Sequence, residues 1–299
     1  MSKTVYFKTN TLLKNLIGKD LINDDNIGLI ELVKNSYDAR ATNVQIIFDG
    51  FNIDNKEKVA LTDRTLSKII IADDGIGMNE VDIEDKWLNI AHSEKAVPME
   101  VSGAHYAGNK GVGRFSCDRL GATLDMFTRK LNGELLHLHI NLIDFEKENQ
   151  KDLTIQQVGV SLKTVKPEFV KALSGMEQPN QGTILVISQL RSTWSKSSLI
   201  DLKKELERFI NPNQAFVNKA FEIELKADYF ADEDHHLSYT KSVNGKVKNQ
   251  IFEKLKFKAT YLEANISECG TEISTQLFHD GEKVFSLVER NDSYSNLNN

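Results

Sequence analysis

Cysteine is nearly absent from this chain: Cys117 and Cys269 are the only two among 299 residues. Two thiols cannot build a disulfide framework, so a reducing, cytoplasmic setting is expected. There are 4 prolines, too few for rigid linkers or a collagen-like repeat. No apolar run reaches the roughly 18 residues of a membrane-spanning helix, so no membrane partner is expected. The opening Met1-Ser-Lys-Thr-Val-Tyr6 also lacks the apolar stretch of a secretory signal. A net charge of -6 argues against a broadly basic surface, although 37 lysines and arginines are enough to form a local patch. The chain shows no internal repeat.

The residues that are present describe a globular chain with room for one large or two medium domains. Leu12 to Gly18 reads as a short helix, and Asp24-Asp25-Asn26 offers caps for a second over Ile27 to Ala39. In that second helix Leu29, Ile30, Val33 and Tyr37 recur near helical spacing. Val44 to Phe48 and Lys68 to Ala72 read as strands, and Glu80 to Ala91 as a helix with Trp87 on its apolar side. His92 to Asn109 reads as a loop, and a helix is expected from Arg114 to Leu120. Strands follow at Leu124–Thr128, Leu135–Ile140, Val158–Val165, Thr183–Ile187 and Phe221–Leu225, with a helix over Leu202–Ile210. Polar residues from Asp232 to Asn249 suggest a boundary, and Ile273–Val288 reads as a hairpin turning at Asp280-Gly281. The expected division is 1–232 as one domain, 233–249 as a linker and 250–299 as a partial second module.

Four patterns carry chemistry. In Glu31-Leu-Val-Lys-Asn35-Ser-Tyr-Asp38, positions i, i+4 and i+7 share one helix face. A carboxylate there can orient or deprotonate water, and a carboxamide oxygen is a hard ligand for Mg2+. Taken alone, the triple reads first as a solvated helix face, because such triples are common. Asp73-Asp74-Gly75-Ile76-Gly77-Met78 follows an apolar strand. A strand-end carboxylate accepts from an exocyclic amine but not from a keto group, which would distinguish adenine. A plain Asp-Gly turn is the competing explanation. Gly108-Asn-Lys110-Gly111-Val112-Gly113-Arg114 precedes a helix, and its bare N–H groups suit an anion, with Lys110 and Arg114 adding charge. It is neither a Walker A loop nor a Rossmann fingerprint. The fourth pattern is Gly182-Thr183, opening an apolar strand.

In this order the four patterns resemble the boxes of the GHKL superfamily of gyrase B, heat-shock chaperone, histidine kinase and MutL ATPases. The resemblance runs from about Leu12 to Leu225 and is closest in style to the hydrolysing MutL, gyrase B and MORC-like branches. It implies an α/β fold: a two-layer α/β sandwich of the Bergerat type with a mixed β-sheet, followed by the start of a second β-containing module. It implies ATP and Mg2+ as ligands, with Glu31 as general base and Asn35 as metal ligand. It further implies Asp73 as reader of the adenine amine, and Gly75, Gly77 and Met78 as the turn beneath the base. Gly111, Val112 and Gly113 match the phosphate-binding backbone, and Thr183 the threonine near adenine. Asp38 fits the first box as an orienting residue, and Lys95 is a candidate for the inner face of a lid.

The resemblance also implies lid closure, a nucleotide-dependent homodimer and a nucleic-acid or protein client. Lys254, Lys256 and Lys258 are available as a lysine reaching the γ-phosphate from a following domain. The alternative is a non-hydrolysing nucleotide switch. Histidine-kinase phosphotransfer is disfavoured, because no histidine precedes His92 and Glu31 is present. His137 and His139 alternate on a strand and read as structural. Cys117 reads as packing, and the His235-His236 pair as solvated.

Overall fold

The computed structural model describes residues 24–53, 60–62, 67–88, 116–145, 159–210, 221–249, 260–267 and 270–290. The expected helix at Leu12, the loop His92–Asn109 with Lys95, the segment from Gly108 to Arg114, and Cys269 lie outside these residues. So do Lys254, Lys256 and Lys258. The chain divides into two compact units, Met1–Val247 and Lys248–Asn299.

The first unit is built on a sheet of eight strands. In chain order its strands are β1 (Asn43–Asp49), β4 (Lys68–Asp73), β5 (Gly121–Arg129), β6 (Leu136–Asn141), β7 (Ser161–Thr164), β8 (Gly182–Leu190), β9 (Glu222–Lys226) and β10 (Gly245–Lys246). A separate short antiparallel pair is formed by β2 (Phe51–Ile53) and β3 (Ala60–Thr62). The spatial order is β10-β9-β1-β4-β8-β5-β6-β7, antiparallel throughout except for the parallel pair β1 and β9. The sheet is therefore mixed, as the sequence resemblance implied.

Alternation decides which face each side chain takes. Val44, Ile46 and Phe48 on β1, Ile69 and Ile71 on β4, Leu124 and Met126 on β5, and Leu138 and Ile140 on β6 all join one large apolar cluster. Helices α1 (Asp25–Asp38), α3 (Ser116–Leu120) and α5 (Lys196–Leu206) pack into it through Leu29, Leu32, Val33, Leu120, Leu199 and Leu202. Strand β4 lies near the sheet centre, and its neighbouring residues Ile70 and Ala72 face a smaller cluster on the other side. There the short helix α4 (Pro167–Ser174) supplies Val170. A strand covered on both faces explains why Ile69–Ala72 reads as an unbroken apolar run.

Several elements differ from expectation. Helix α1 begins on the cap Asp24, whose carboxylate accepts from Asn26 N at 2.7 Å. Its buried stripe is Gly28, Leu29, Leu32, Val33 and Ser36, whereas Tyr37 stays largely exposed, edge-on to Phe221. The predicted helix from Glu80 is shorter: α2 (Glu80–Asp82) passes into a wide π turn at Ile83–Trp87. Helix α5 starts earlier than the apolar pattern suggested, because Ser195 and Ser198 form a reciprocal capping box. Helix α4 was not anticipated, although Pro167 at its first turn and the left-handed Gly175 after it mark both ends.

The polar stretch 233–249, expected as a linker, is built into the first unit as far as Val247. A helical turn α6 (Ala231–Asp234) precedes it, and the Asp234 carboxylate accepts from the Val243 and Asn244 N–H groups at 2.9 and 2.7 Å. Strand β10 then pairs with β9, burying Val243 and Val247. The apparent polarity reflects side chains that satisfy backbone groups.

The second unit contains a three-stranded antiparallel meander, β11 (Thr260–Ile266), β12 (Glu272–His279) and β13 (Glu282–Arg290). Its second hairpin turns on Asp280 and Gly281, both with positive φ (49° and 82°), as an Asp-Gly turn requires. Among the described residues no helix is long and apolar enough to cross a membrane.

Candidate nucleotide site

The ends of three adjacent strands form one row: Asp73 on β4 is paired with Thr183 on β8, which is paired with Thr128 on β5. Cross-strand partners point to the same face, here the face that carries α1. Asp73 is buried, and three donors hold it. Ser36 Oγ on α1 donates to Oδ2 at 2.9 Å, while Gly75 N and Thr183 N donate to Oδ1 at 2.9 and 3.3 Å. Burial pushes the Asp73 carboxyl up to about 6; the hydrogen bonds from Gly75, Ser36 and Thr183 oppose that shift, and the Asp74 charge adds to it.

The turn after Asp73 is fixed from both sides. Gly77 has φ +61°, and a Cβ there would lie 2.0 Å from the Arg129 carbonyl oxygen. Met78 N donates to Thr128 Oγ1 at 2.9 Å, and that hydroxyl lies 3.0 Å from Thr183 Oγ1. Asp74 faces the start of β1, accepting from Thr42 N, Thr42 Oγ1 and Asn43 N at 2.7, 2.6 and 2.8 Å. Partial burial raises its carboxyl, but those hydrogen bonds outweigh burial and hold it below the usual range. Asp74 therefore anchors the turn, leaving Asp73 as the buried acid beside α1.

Helix α1 brings the first motif alongside. Ser36, in contact with Asp73, is the residue after Asn35, which is exposed. Glu31 lies one turn before Asn35 and is half-buried; Lys34 Nζ contacts its Oε1 at 2.6 Å. Asp38, near the helix end, is half-buried. Helix α3, which directly follows the glycine-rich segment, packs against the first half of α1. Arg119 Nε donates to Asp25 Oδ1 at 2.7 Å, and a Cβ on Gly28 would meet Leu120 at 3.6 Å. The start of α3, at the Ser116 carbonyl, is thus placed near Gly28, three residues before Glu31.

The structure thus gathers Asp73, Gly75, Gly77, Met78 and Thr183 into one site and attaches it to the helix of Glu31, Asn35 and Asp38. Lys110, Gly111, Val112, Gly113 and Arg114 lie outside the described residues. Two members escaped the sequence reading, Ser36 and Thr128. Ser36 has a weak signal, a polar residue on the buried stripe of α1. Thr128 has none, because only strand register places it opposite Thr183.

Other singled-out residues lie elsewhere. Cys117 is buried, its thiol pushed up to about 12 by burial and by the Asp118 charge, so it packs and does not react. His235 and His236 are exposed in a turn. His137 and His139 both contact Asp125 on the sheet face away from α1.

Residues 24–169 match a family model described as histidine kinase-, DNA gyrase B-, and HSP90-like ATPase. Among curated proteins the chain is 29% identical over 150 residues to a protein named as a type II restriction enzyme, HgiDII, from Herpetosiphon aurantiacus. That match covers 50% of this chain and 21% of the relative. It is 28% identical over 162 residues to the chaperone protein HtpG of Sulfurimonas denitrificans, covering 50% of this chain and 26% of that protein. The chain spans about a fifth to a quarter of the length of these relatives. With a mixed sheet under α1 and a buried acid at the end of β4, the region 24–169 belongs to the GHKL superfamily of histidine kinase-, gyrase B- and HSP90-like ATPases, a family of ATP-binding domains.

Proposed function

We propose that the first unit binds ATP with Mg2+ and hydrolyses it to ADP and phosphate, using the energy of closure to drive a conformational machine. One observation carries this reading: the Asp73 carboxylate is buried and held by three donors. A carboxylate offers about four acceptor positions. One remains for an incoming donor, which fits the exocyclic amine of adenine. The close approach of Gly77 to the β5 backbone leaves a flat, side-chain-free turn beneath such a base.

In this reading Glu31 accepts a proton from the attacking water, and the Asn35 amide oxygen is the metal ligand on the same helix face. Bound Mg2+ would neutralise charge on the phosphate oxygens. Asp38 orients the pocket, and the backbone of Gly111, Val112 and Gly113, with Lys110 and Arg114, faces the phosphates. Met78 and Thr183 border the base. The exposure of Asn35 and the half-burial of Glu31 suit groups that meet a ligand from solvent. Residues 92–109 would close over the nucleotide, and closure would create a surface for a second copy of the chain. The likeness to a protein named as a restriction enzyme supports nucleic acid as the client, and that to a chaperone supports a protein client. We place the chain in a cytoplasmic setting on its low cysteine content.

One contact favours a second reading, a nucleotide switch without useful turnover. Lys34 Nζ engages Glu31 Oε1 at 2.6 Å, and that carboxylate must be released before it can serve as a base. Calorimetry and turnover on Glu31→Ala and Asp73→Asn separate the two. Hydrolysis predicts that Glu31→Ala retains ATP affinity and loses turnover, whereas Asp73→Asn loses affinity. Turnover by Glu31→Ala at the parental rate would reject the assigned base. Unchanged affinity of Asp73→Asn would reject the adenine site.

A further inference from the structure

The sheet face away from α1 carries a second cluster with its own chemistry. On β5 and β6, Asp125 is directly opposite His139, and His137 is two residues back along the same strand. Leu124, Met126, Leu138 and Ile140 enter the main core, so alternation sends Asp125, His137 and His139 together to the other face. Asp125 Oδ1 lies 2.7 Å from His137 Nε2 and 2.8 Å from His139 Nδ1. One donor atom from each of the three residues falls within 4.8 Å of the others.

We propose that Asp125, His137 and His139 form a binding site for a divalent transition metal, with zinc the best match. Two imidazole nitrogens and one carboxylate oxygen are the donor set that borderline ions prefer over Mg2+ or Ca2+. Donors around a tetrahedral zinc stand about 3.3 Å apart, given metal–ligand bonds of about 2.0–2.1 Å. The present separations are those of two N–H groups sharing one carboxylate oxygen, so a small opening of the cluster admits the ion. The ring of His137 is already fixed, stacked on Phe127 at 4.6 Å and tilted against Phe169 at 5.2 Å. The His139 side chain is 43% exposed, which gives an entry path and room for a water ligand.

Binding moves the proton of each neutral imidazole from the nitrogen facing Asp125 to the far nitrogen. For His139 that nitrogen is Nε2, on a half-exposed ring. For His137 it is Nδ1, buried without a partner among the described residues. An unsupported ligating histidine weakens metal sites roughly 10–100-fold, so this site should be readily exchangeable. Lys163, paired with His137 across β6 and β7, has its ammonium 4.9 Å from the Phe169 ring centroid, which partly engages its charge.

The test uses the full chain, stripped with chelator and free of nucleotide. Co2+ is titrated by visible absorption and Zn2+ by calorimetry. One ion per chain is expected, with the intense absorption of tetrahedral cobalt, and His139→Ala should lower affinity at least about tenfold. His139 is chosen because its exposure spares the core; ATP affinity of that variant, measured with Mg2+, reports an intact first unit. Asp125→Asn should weaken binding similarly. Failure to bind either ion overturns the site, as does equal affinity in His139→Ala, which would move the metal to residues such as His235 and His236.

Discussion

Ser36 Oγ donates to Asp73 Oδ2 at 2.9 Å, joining residues 37 positions apart and both buried. Through this bond the helix bearing Glu31 and Asn35 is referenced to the strand end that would read adenine. Ser36→Ala removes one of three donors and leaves the Asp73 charge less well held. A hydrogen bond to a charged group is worth about 1.5–3 kcal/mol, so ATP affinity should fall by about tenfold or more, with the far-ultraviolet spectrum unchanged. Calorimetric affinity within twofold of the parent would show that the bond does not organise the pocket.

The burial of Asp73 also predicts a pH dependence. Its carboxyl titrates near 6 in the folded chain against 3.8 unfolded. Between these values the native state holds a proton that the unfolded state has released, so nucleotide-free stability falls as pH rises through that window. A shift of about two units corresponds to about 3 kcal/mol, present as a cost above pH 6 and absent below pH 3.8. Asp73→Asn should remove this cost. The stability of the variant relative to the parent should therefore grow between pH 4 and pH 7 in urea unfolding, and a flat difference would sink the account. Parental ATP affinity should fall as the pH drops below about 6, where the carboxylate gains a proton.

Gly77 offers a steric test. An alanine Cβ would meet backbone, the Arg129 carbonyl oxygen at 2.0 Å and its carbon at 2.5 Å, so no side chain can move aside to accommodate it. The left-handed backbone adds about 1–2 kcal/mol for a residue with Cβ. The turn must then leave β5, breaking the bond from Met78 N to Thr128 Oγ1. Gly77→Ala should reduce ATP binding by at least about a hundredfold, roughly 2.7 kcal/mol, while the sheet core remains folded. Wild-type affinity would mean that the turn tolerates displacement and does not form the floor of the site.

Much of this arrangement was legible in the sequence because it rests on short-range physics. Asp24 caps α1, Lys68–Ala72 is apolar at every position but the first because β4 is covered on both faces, and Asp73 follows at once. Thr128 and the Asp125–His137–His139 cluster were illegible for one shared reason. Their partners are fixed by the register of β5 against β6 and β8, which hydrophobic periodicity does not encode. Residues 233–247 were misread for a different reason: polar side chains such as Asp234 and Asn244 resemble linker composition while satisfying buried backbone. Helix α4 had its signals at Pro167 and Gly175, but at eight residues it is too short for a convincing period.

The last prediction concerns how α3 is held against the sheet. Asp118 on α3 is fully buried, and Arg191 at the end of β8 donates to its Oδ1 at 2.9 Å. Arg191 also donates through Nε to Gly121 O at 3.2 Å and through its backbone N to Leu120 O at 2.9 Å. One side chain thus fastens α3 and the start of β5 to the sheet. Arg191→Ala removes a charged partner from a buried carboxylate, and breaking such a pair from one side costs about 3–5 kcal/mol. For a unit of this size, each kcal/mol lowers Tm by about 2–4 °C, so a fall of about 10 °C is expected by calorimetry. Replacing both partners by apolar residues, Asp118→Leu with Arg191→Met, should recover most of that loss, because no charge is then left buried. ATP affinity need not recover, since α3 would no longer be fixed in direction. A single variant that melts within about 2 °C of the parent would show that Asp118 is satisfied without Arg191, and that α3 is held by its contacts with α1 alone.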